Sequence, residues 1–420
     1  MILSNVSVPL LGMVDTGVVG HLDSPIYLGA VAIGSMIFSF LYMGMNFLRM
    51  GTTGIAAQSY GAGDNDGLRV SLGQAIVVAL ALALLMIVMQ WPIGRLTMHL
   101  IGASASIETN ALEYFSIRIW SAPGTLANMA LIGWFIGLQN ARVPLLIFLT
   151  INLTNITLDL LFVLVLGMKV DGVALASVIA EYSGLVIGLV FAISELRRRA
   201  GHWPISKLVD WREYAAFFAI NSNLFIRTMA LMFTLAFVTV QGARMGEVIL
   251  AANAVLMNLQ NLTAFGLDGI AHAAEALVGK AVGQKRRDAF VKAVQISLKW
   301  SLIFAVGFTI CYWAGGPLLI SVLTDLPEIR EAATHYLPWL ILSPLISVWS
   351  YLYDGVYVGA TRAREMRNIM VMSAFLVFLP AWYLLQGFGN DGLWLALLIF
   401  LASRGIGMHI GYRRKLLPSV

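Results

Sequence analysis

The sequence predicts an all-α integral membrane protein whose twelve transmembrane helices form two pseudo-symmetric six-helix bundles, and three observations carry that reading. The 420 residues include 27 Lys and Arg and 22 Asp and Glu, so charged side chains make up 12% of the chain, where a soluble domain carries about 25%. Hydrophobic residues, 59% of the total, come in runs of about 20 that match a hydrocarbon core about 30 Å thick. Short elements also recur at separations near 220 residues, the mark of a duplicated half.

Apolar windows bounded by charged or turn residues place the spans at 1–22, 28–58, 71–93, 116–138, 144–166, 171–193, 213–240, 248–279, 297–321, 334–360, 368–388 and 391–411. Those longer than about 25 residues must tilt or protrude. The first window lacks a basic leading region and an Ala-x-Ala cleavage site, so it reads as a span and not as a signal peptide. Basic residues in short loops are retained in the cytoplasm. The even-numbered connections and the tail hold 19 Lys and Arg and the odd-numbered ones 5, with Arg49, Arg227 and Arg404 inside spans. Both termini are therefore expected to be cytoplasmic. The net charge of +5 is scattered over these loops, which reads as topology and not as a nucleic-acid surface. A single cysteine, Cys311, excludes a disulfide framework and a cysteine-based metal centre.

The repeat is legible in four places. Gly133-Trp134-Phe135-Ile136-Gly137, followed by Ala141-Arg142, recurs as Gly355-Val356-Tyr357-Val358-Gly359 and Ala363-Arg364 at an offset of 222. Asp171-Gly172 with Leu175-Ala176 recurs as Asp391-Gly392 with Leu395-Ala396 at 220; Tyr60 to Gly63 lines up with Lys280 to Gly283 at 220, and Ser121 to Pro123 with Leu342 to Pro344 at 221. Six spans separate equivalent positions, so the halves share one orientation, the parallel-repeat plan of secondary transporters with a substrate site near mid-bilayer. The expected division is an N-lobe at 1–193, a cytoplasmic linker at 194–212 and a C-lobe at 213–420. Arg197-Arg198-Arg199 in the linker is a topological anchor or a contact for anionic lipid.

Ionisable groups inside spans cost roughly 2.5 to 3.5 kcal/mol each on insertion scales, so each needs a reason. Desolvation favours the neutral carboxyl, which makes reversible protonation available to a coupling site. In span one, Asp15 lies among Leu10, Leu11, Met13, Val14, Val18 and Val19; it is a proton or cation site, or it caps a helix break near Gly12 or Gly17. In span five, Asn152, Asn155 and Asp159 share one helical face. There the amide either bonds a protonated carboxyl, or joins it in offering oxygens to Na+, or both glue helices together. In span six, Ser177 and Glu181 stand at i and i+4, and Glu181 either couples or pairs with Arg49 or another buried base. In span eight, Asp268, His272 and Glu275 share a face and read as a proton relay or as partners of Arg227 or Arg404. Three ligands spread over about 10 Å of one helix cannot close on one metal ion, so no metal is expected. Asp354 in span ten is a coupling carboxylate or closes its helix near Gly355. Met43, Met45, Met50, Met229, Met232 and Met257, with Phe38, Phe40 and Phe265, either line an adaptable cavity or pack against protein and lipid. Trp91, Trp120, Trp203, Trp211 and Trp339 suit the membrane interface.

The segment Pro9-Leu-Leu-Gly-Met-Val-Asp15-Thr-Gly-Val-Val-Gly20-His21-Leu22, the Asn155/Asp159 pair and the Gly-x-x-x-Gly-x-x-x-Ala-Arg elements resemble the multidrug and toxic compound extrusion (MATE) transporters. Asp354-Gly-Val-Tyr-Val-Gly-Ala-Thr-Arg-Ala-Arg364 and His272-Ala-Ala-Glu-Ala-Leu-Val-Gly279 are similar to the DinF branch. The resemblance spans essentially the whole chain. It implies two lobes around a V-shaped central cavity, alternating access in a bacterial inner membrane, and efflux of cationic or other amphiphilic compounds driven by inward H+ or Na+. It also implies that Ser177 joins Asn155 and Asp159, and that Asp354 occupies the place of a coupling carboxylate in Na+-driven NorM-like relatives. The family carries a proline about 15 residues before the span-one Asp, whereas Met1 stands fourteen before Asp15, so the first helix is expected to start upstream or to be shortened.

The resulting expectation is an H+-coupled antiporter, with Na+ coupling as the alternative ion. It acts as a monomer with amphiphilic small molecules and membrane lipids as partners, and with no cofactor beyond the coupling ion. A lipid-linked oligosaccharide flippase of the same superfamily would line its cavity with buried Arg or Lys, and only three such residues lie in spans. No G-x-x-x-x-G-K-[S/T] motif is present for ATP, and no catalytic dyad suggests an enzyme. The loop after span two lacks the Gly-x-x-x-Asp-Arg-x-Gly-Arg-Arg pattern of major-facilitator carriers.

Overall fold

The computed structural model describes residues 24–102 and 104–419. The window 1–22, with Asp15, lies outside the described residues. The chain forms two compact units, one ending at Phe217 and the other beginning at Phe218. Helix dominates because hydrocarbon offers no partner to a backbone N–H or C=O, and the helix satisfies both internally.

The first unit opens with α1 (Pro25–Met45), whose start is set by Pro25 and by the Ser24 hydroxyl accepting from the Ile26 N–H. It runs through Asn46 into α2 (Phe47–Ala62), which stops at the left-handed Gly63. Asp64 caps α3 (Asn65–Val88) by accepting from the Gly67 N–H at 2.8 Å, and α4 (Gln90–Ile101) follows. Next come α5 (Ala105–Arg118) and α6 (Ala122–Gly137), joined by a tightened 3₁₀ turn at Ile119–Ser121. Pro123 supplies no N–H there and crowds the preceding carbonyls, which favours that turn. α7 (Arg142–Asp159) passes into a π-helical turn at Leu160–Val165 before α8 (Val170–Arg197). The short α9 (Ile205–Val209) belongs to the link. Arg69 of α3 closes the far end of α8, its Nη2 donating to the Leu196 and Arg199 carbonyls at 2.9 Å each.

The second unit contains most of α10 (Ala215–Arg244), then α11 (Glu247–Gly283), α12 (Arg287–Leu323) and α13 (Pro327–Gly359). α14 (Ala363–Met372) continues through a π turn at Ser373–Phe378 into α15 (Leu379–Leu385), and α16 (Gly389–Gly411) ends in a π turn at Tyr412–Leu416. Nine continuous helical stretches among the described residues are long and apolar enough to cross a membrane. One of them, Ala363–Leu416, makes two passes about the left-handed Gly389. With α13, this accounts for predicted spans two to twelve, and the chain is an integral membrane protein of the twelve-helix class. Most helices overrun their apolar windows: span nine, predicted at 297–321, begins at Arg287. Charge marks where a helix leaves hydrocarbon, not where its hydrogen bonds end.

The duplication is written in the backbone at a single register. Left-handed residues Gly63 and Lys285, Gln139 and Thr361, and Gly167 and Gly389 are each 222 apart. The helix-ending bonds repeat with them: the Asp64 N–H meets the Ser59 carbonyl as Arg286 meets Ala281, and Asn140 meets Phe135 as Arg362 meets Tyr357. Both belong to the pattern in which the second residue past a helix bonds back over its last turn. This register corrects the pairing of Gly63 with Gly283 at 220, because the left-handed stop after α11 falls on Lys285, two residues beyond the glycine the sequence match used. The loop from Gly389 to Asp391 is two residues shorter than that from Gly167 to Asp171, which restores the offset of 220 afterwards.

Glycine permits a close helix crossing at the same register in each unit. A Cβ on Gly133 would fall on the Arg49 carbonyl oxygen, and one on Gly355, 222 residues later, on that of Ala271. Gly137 and Gly359 stand in the same way over Thr53 and Glu275. The obstacle is backbone and cannot swing aside. Gly133→Val and Gly355→Val are therefore each expected to lower stability by about 3 kcal/mol or more, whereas Gly307→Ala, with open space around it, is expected to be neutral or stabilising by up to about 1 kcal/mol. Thermal unfolding in detergent micelles checks the contrast.

Candidate functional site

Two buried polar clusters stand out, one in each unit. In the first, α7 presents Asn155 and Asp159, both fully buried, towards α8. The Asn155 Nδ2 donates to the Ser177 Oγ at 3.3 Å, so the amide and hydroxyl that the family resemblance brings together do meet. Asn152 is half-buried on the same stripe. Asp159 is the last α-helical residue before the π turn, and the following Leu160, Leu161 and Leu164 are exposed. A π turn changes the phase of the helix, here between an inward carboxylate and outward leucines.

One turn deeper along α8, Glu181 has its own polar shell. Asn128 Nδ2 of α6 donates to its Oε2 at 3.0 Å and to its carbonyl at 2.9 Å. The Tyr42 hydroxyl bonds Ser121 at 3.0 Å beside it. The base within coulombic reach of Glu181 is Arg118, while the Arg49 Nε donates to Asn46 at 3.2 Å. Arg118 lies within the α5–α6 rod, whose first turns are too polar to register as a span. Asn128, Tyr42 and Arg118 are members of this site that the sequence did not single out, since nothing in their local spacing points to Glu181.

In the second unit, Asp354 of α13 is 7% exposed and sits between two guanidiniums. Its Oδ2 accepts from Arg404 Nη2 of α16 at 2.8 Å and from Arg227 Nη2 of α10. Three helices are thus tied at one carboxylate oxygen. The other oxygen, Oδ1, and the Nε of each arginine have no hydrogen-bond partner among the described residues. The arginines that the sequence offered to Asp268, His272 or Glu275 both bond Asp354. The Tyr351 hydroxyl is within electrostatic reach of Asp268, Arg404, Asp354 and Arg227. Glu275 is buried and His272 half-buried on the same helix as Asp268. Among the described residues no group of three or more His, Cys, Asp or Glu could hold a metal ion.

The aromatic and methionine candidates divide. Phe38, Met50 and Met232 are buried, and Phe38 stacks on Phe115 with ring centres 5.2 Å apart. Met257 packs against the core of the second unit. Met229 and Phe265 are half-buried, and Met43 and Phe40 are exposed.

The MatE family model matches residues 1–161 and again 224–384, so each half matches it separately. The chain is 42% identical over 415 residues to DNA damage-inducible protein F of Escherichia coli, covering 99% of this chain and 90% of that protein. It is 23% identical over 429 residues to multidrug resistance protein MdtK of Edwardsiella ictaluri, covering 98% of this chain and 93% of that protein. Its fold matches the crystal structure of the Vibrio cholerae MATE transporter VcmN in the bent form, with a TM-score of 0.89 at 19% identity, over 100% of this chain and 95% of that one.

Two cations around one anion make the Asp354 cluster asymmetric to substitution. Asp354→Asn leaves two buried like charges unpaired and is expected to cost about 3 to 5 kcal/mol. Arg227→Met leaves the balanced Arg404–Asp354 pair and is expected to cost clearly less. Chemical or thermal unfolding of the two variants reads the order directly.

Proposed function

The chain belongs to the MatE family, a family of membrane transporters and not of enzymes, and from that membership we propose that it exports amphiphilic or cationic toxic compounds by alternating access in exchange for protons. Efflux is supported by relatives named as multidrug resistance proteins that align over nearly the whole chain. The observation that supports proton coupling is a fully buried Asp159 on the helix face of Asn155, whose amide donates to Ser177. An amide and a hydroxyl on the same buried stripe offer hydrogen-bonding groups that suit a carboxyl in either protonation state.

Asp354 argues for the same choice of site. Two guanidiniums already occupy the directions from which a Na+ ion would approach its Oδ2. They also commit to an internal acid two of the buried bases that a pyrophosphate-binding flippase would require. In the proposed cycle, a proton from the outer side neutralises Asp159, with Asp15 as its expected partner, and repacks α7 at its π turn. The substrate leaves outward and the empty carrier returns. Glu181, with Asn128 and Arg118, and Asp268, His272 and Glu275 are secondary coupling candidates. Met43, Met229, Met257 and Phe265 are candidate substrate contacts. We place the protein in the bacterial inner membrane as a monomer with cytoplasmic termini. Its lobes are 1–193 and 213–420, and it needs no cofactor beyond the coupling ion.

Efflux of a fluorescent cation from liposomes, driven by a pH gradient alone and then by a Na+ gradient alone, tests the assignment. The pH gradient is expected to drive transport that Asp159→Asn lowers at least tenfold, the usual scale for losing a positioned proton-transfer group. Na+-driven transport that Asp159→Asn retains would move coupling to Asp354 and the C-lobe.

A further inference from the structure

The two units carry very different charge at the end where α2 and α11 stop. In the first unit, segments 62–69, 138–142 and 195–213 hold 7 Lys and Arg against 5 Asp and Glu; in the second, 280–299, 360–367 and 412–416 hold 12 against 2. The latter segments converge. Tyr412 stacks on Phe290 with ring centres 5.9 Å apart and meets Tyr353 at a tilt, 5.6 Å away, and its hydroxyl lies near both Arg287 and Arg413.

Part of this charge does not lie in a loop. Lys292 and Lys299 stand on the exposed outer side of α12. Positions 292, 296, 299, 303, 306 and 310 advance by alternating steps of four and three and so share one helix face. Along it the lysines give way to Ile303, Val306 and Ile310, which are 47%, 45% and 56% exposed, with Trp300 beside the changeover at 52%. From Lys299 to Ile310 the helix rises about 16 Å, half of a hydrocarbon core of about 30 Å. The face therefore runs from cationic, through an interfacial tryptophan, to purely apolar over the depth of one leaflet.

Orienting the helix does not explain the lysines. The duplicate of this helix is α3, and at an offset of 222 the residues matching Lys292 and Lys299 are Val70 and Val77. The same pass through the membrane is thus made in the first unit without either charge.

We propose that this face of α12 is a binding site for an anionic glycerophospholipid, with Lys292 and Lys299 holding the phosphate and Ile303, Val306 and Ile310 lying along an acyl chain. The partner is anionic because the surrounding segments carry a net +10. It is a lipid and not a free phosphate because the apolar stripe continues from the lysines without interruption.

Native mass spectrometry of the delipidated full-length protein, titrated with phosphatidylglycerol or phosphatidylcholine, is the test. The wild type is expected to retain phosphatidylglycerol preferentially, and the preference to weaken as ionic strength rises. Lys292→Gln/Lys299→Gln is expected to reduce that affinity about 30-fold, from two surface charges at their usual membrane contribution, while Lys292→Arg/Lys299→Arg keeps it. Thermal unfolding in phosphatidylcholine nanodiscs, unchanged in all three, would show that the fold is intact; should the Gln variant unfold, the salt dependence of the wild type decides. Equal retention of the two lipids by the wild type, or an unchanged preference in a folded Gln variant, would overturn the proposal. Displacement of phosphatidylglycerol by soluble glycerol phosphate would also overturn it, because the apolar stripe would then contribute nothing.

Discussion

In hydrocarbon every backbone polar group and every charge must find its partner inside the protein, and the rest of this structure follows from that constraint. It makes the described chain helical almost throughout. It draws helices together at Gly133 and Gly355, where backbone meets backbone. It also explains why the ionisable residues in spans have polar company: Asp159 shares a buried face with Asn155, whose amide bonds Ser177, Glu181 accepts from Asn128, and Asp354 holds two arginines.

Features that repeat or that occupy one helix were legible in the sequence. Apolar length gave the spans, and the Gly-x-x-x-Gly pairs marked the duplication because the crossing they permit tolerates no side chain. Asn155 and Asp159 were placed on one face by spacing alone, and the meeting with Ser177 followed from the family resemblance. The limits of helices were less legible. α12 starts ten residues before its apolar window, because Lys and Arg favour helix as readily as leucine does and stop only the membrane, not the hydrogen-bond ladder.

Contacts between helices distant in sequence were not legible. Arg404 was an available partner for several acids, and only the packing of α10, α13 and α16 selects Asp354. Arg118 likewise reaches Glu181 only because α5 and α6 form one rod across Ile119–Ser121. The register of the repeat was blurred for a related reason. Sequence comparison aligned Gly63 with Gly283, but the left-handed position that ends the helix is filled by Lys285, and a conformation can survive where the residue best suited to it does not.

The halves have therefore kept their backbone and exchanged their charges. At the glycine crossing, Arg49 and Thr53 of the first unit correspond to Ala271 and Glu275 of the second; Asp159 corresponds to Ala381, and Asp354 to Ile132. Had both halves retained the same ionisable set, each would carry the same electrostatic task. Instead, one buried carboxylate shares a helix face with an amide that bonds a hydroxyl, and the other accepts from two guanidiniums. Substitution of side chains on an unchanged helical frame is enough to produce that difference, since a cluster's response to a proton depends on its immediate partners and not on the fold that carries it. The duplicated architecture thus supplies two equivalent frames, and the side chains placed on each decide which polar cluster it holds.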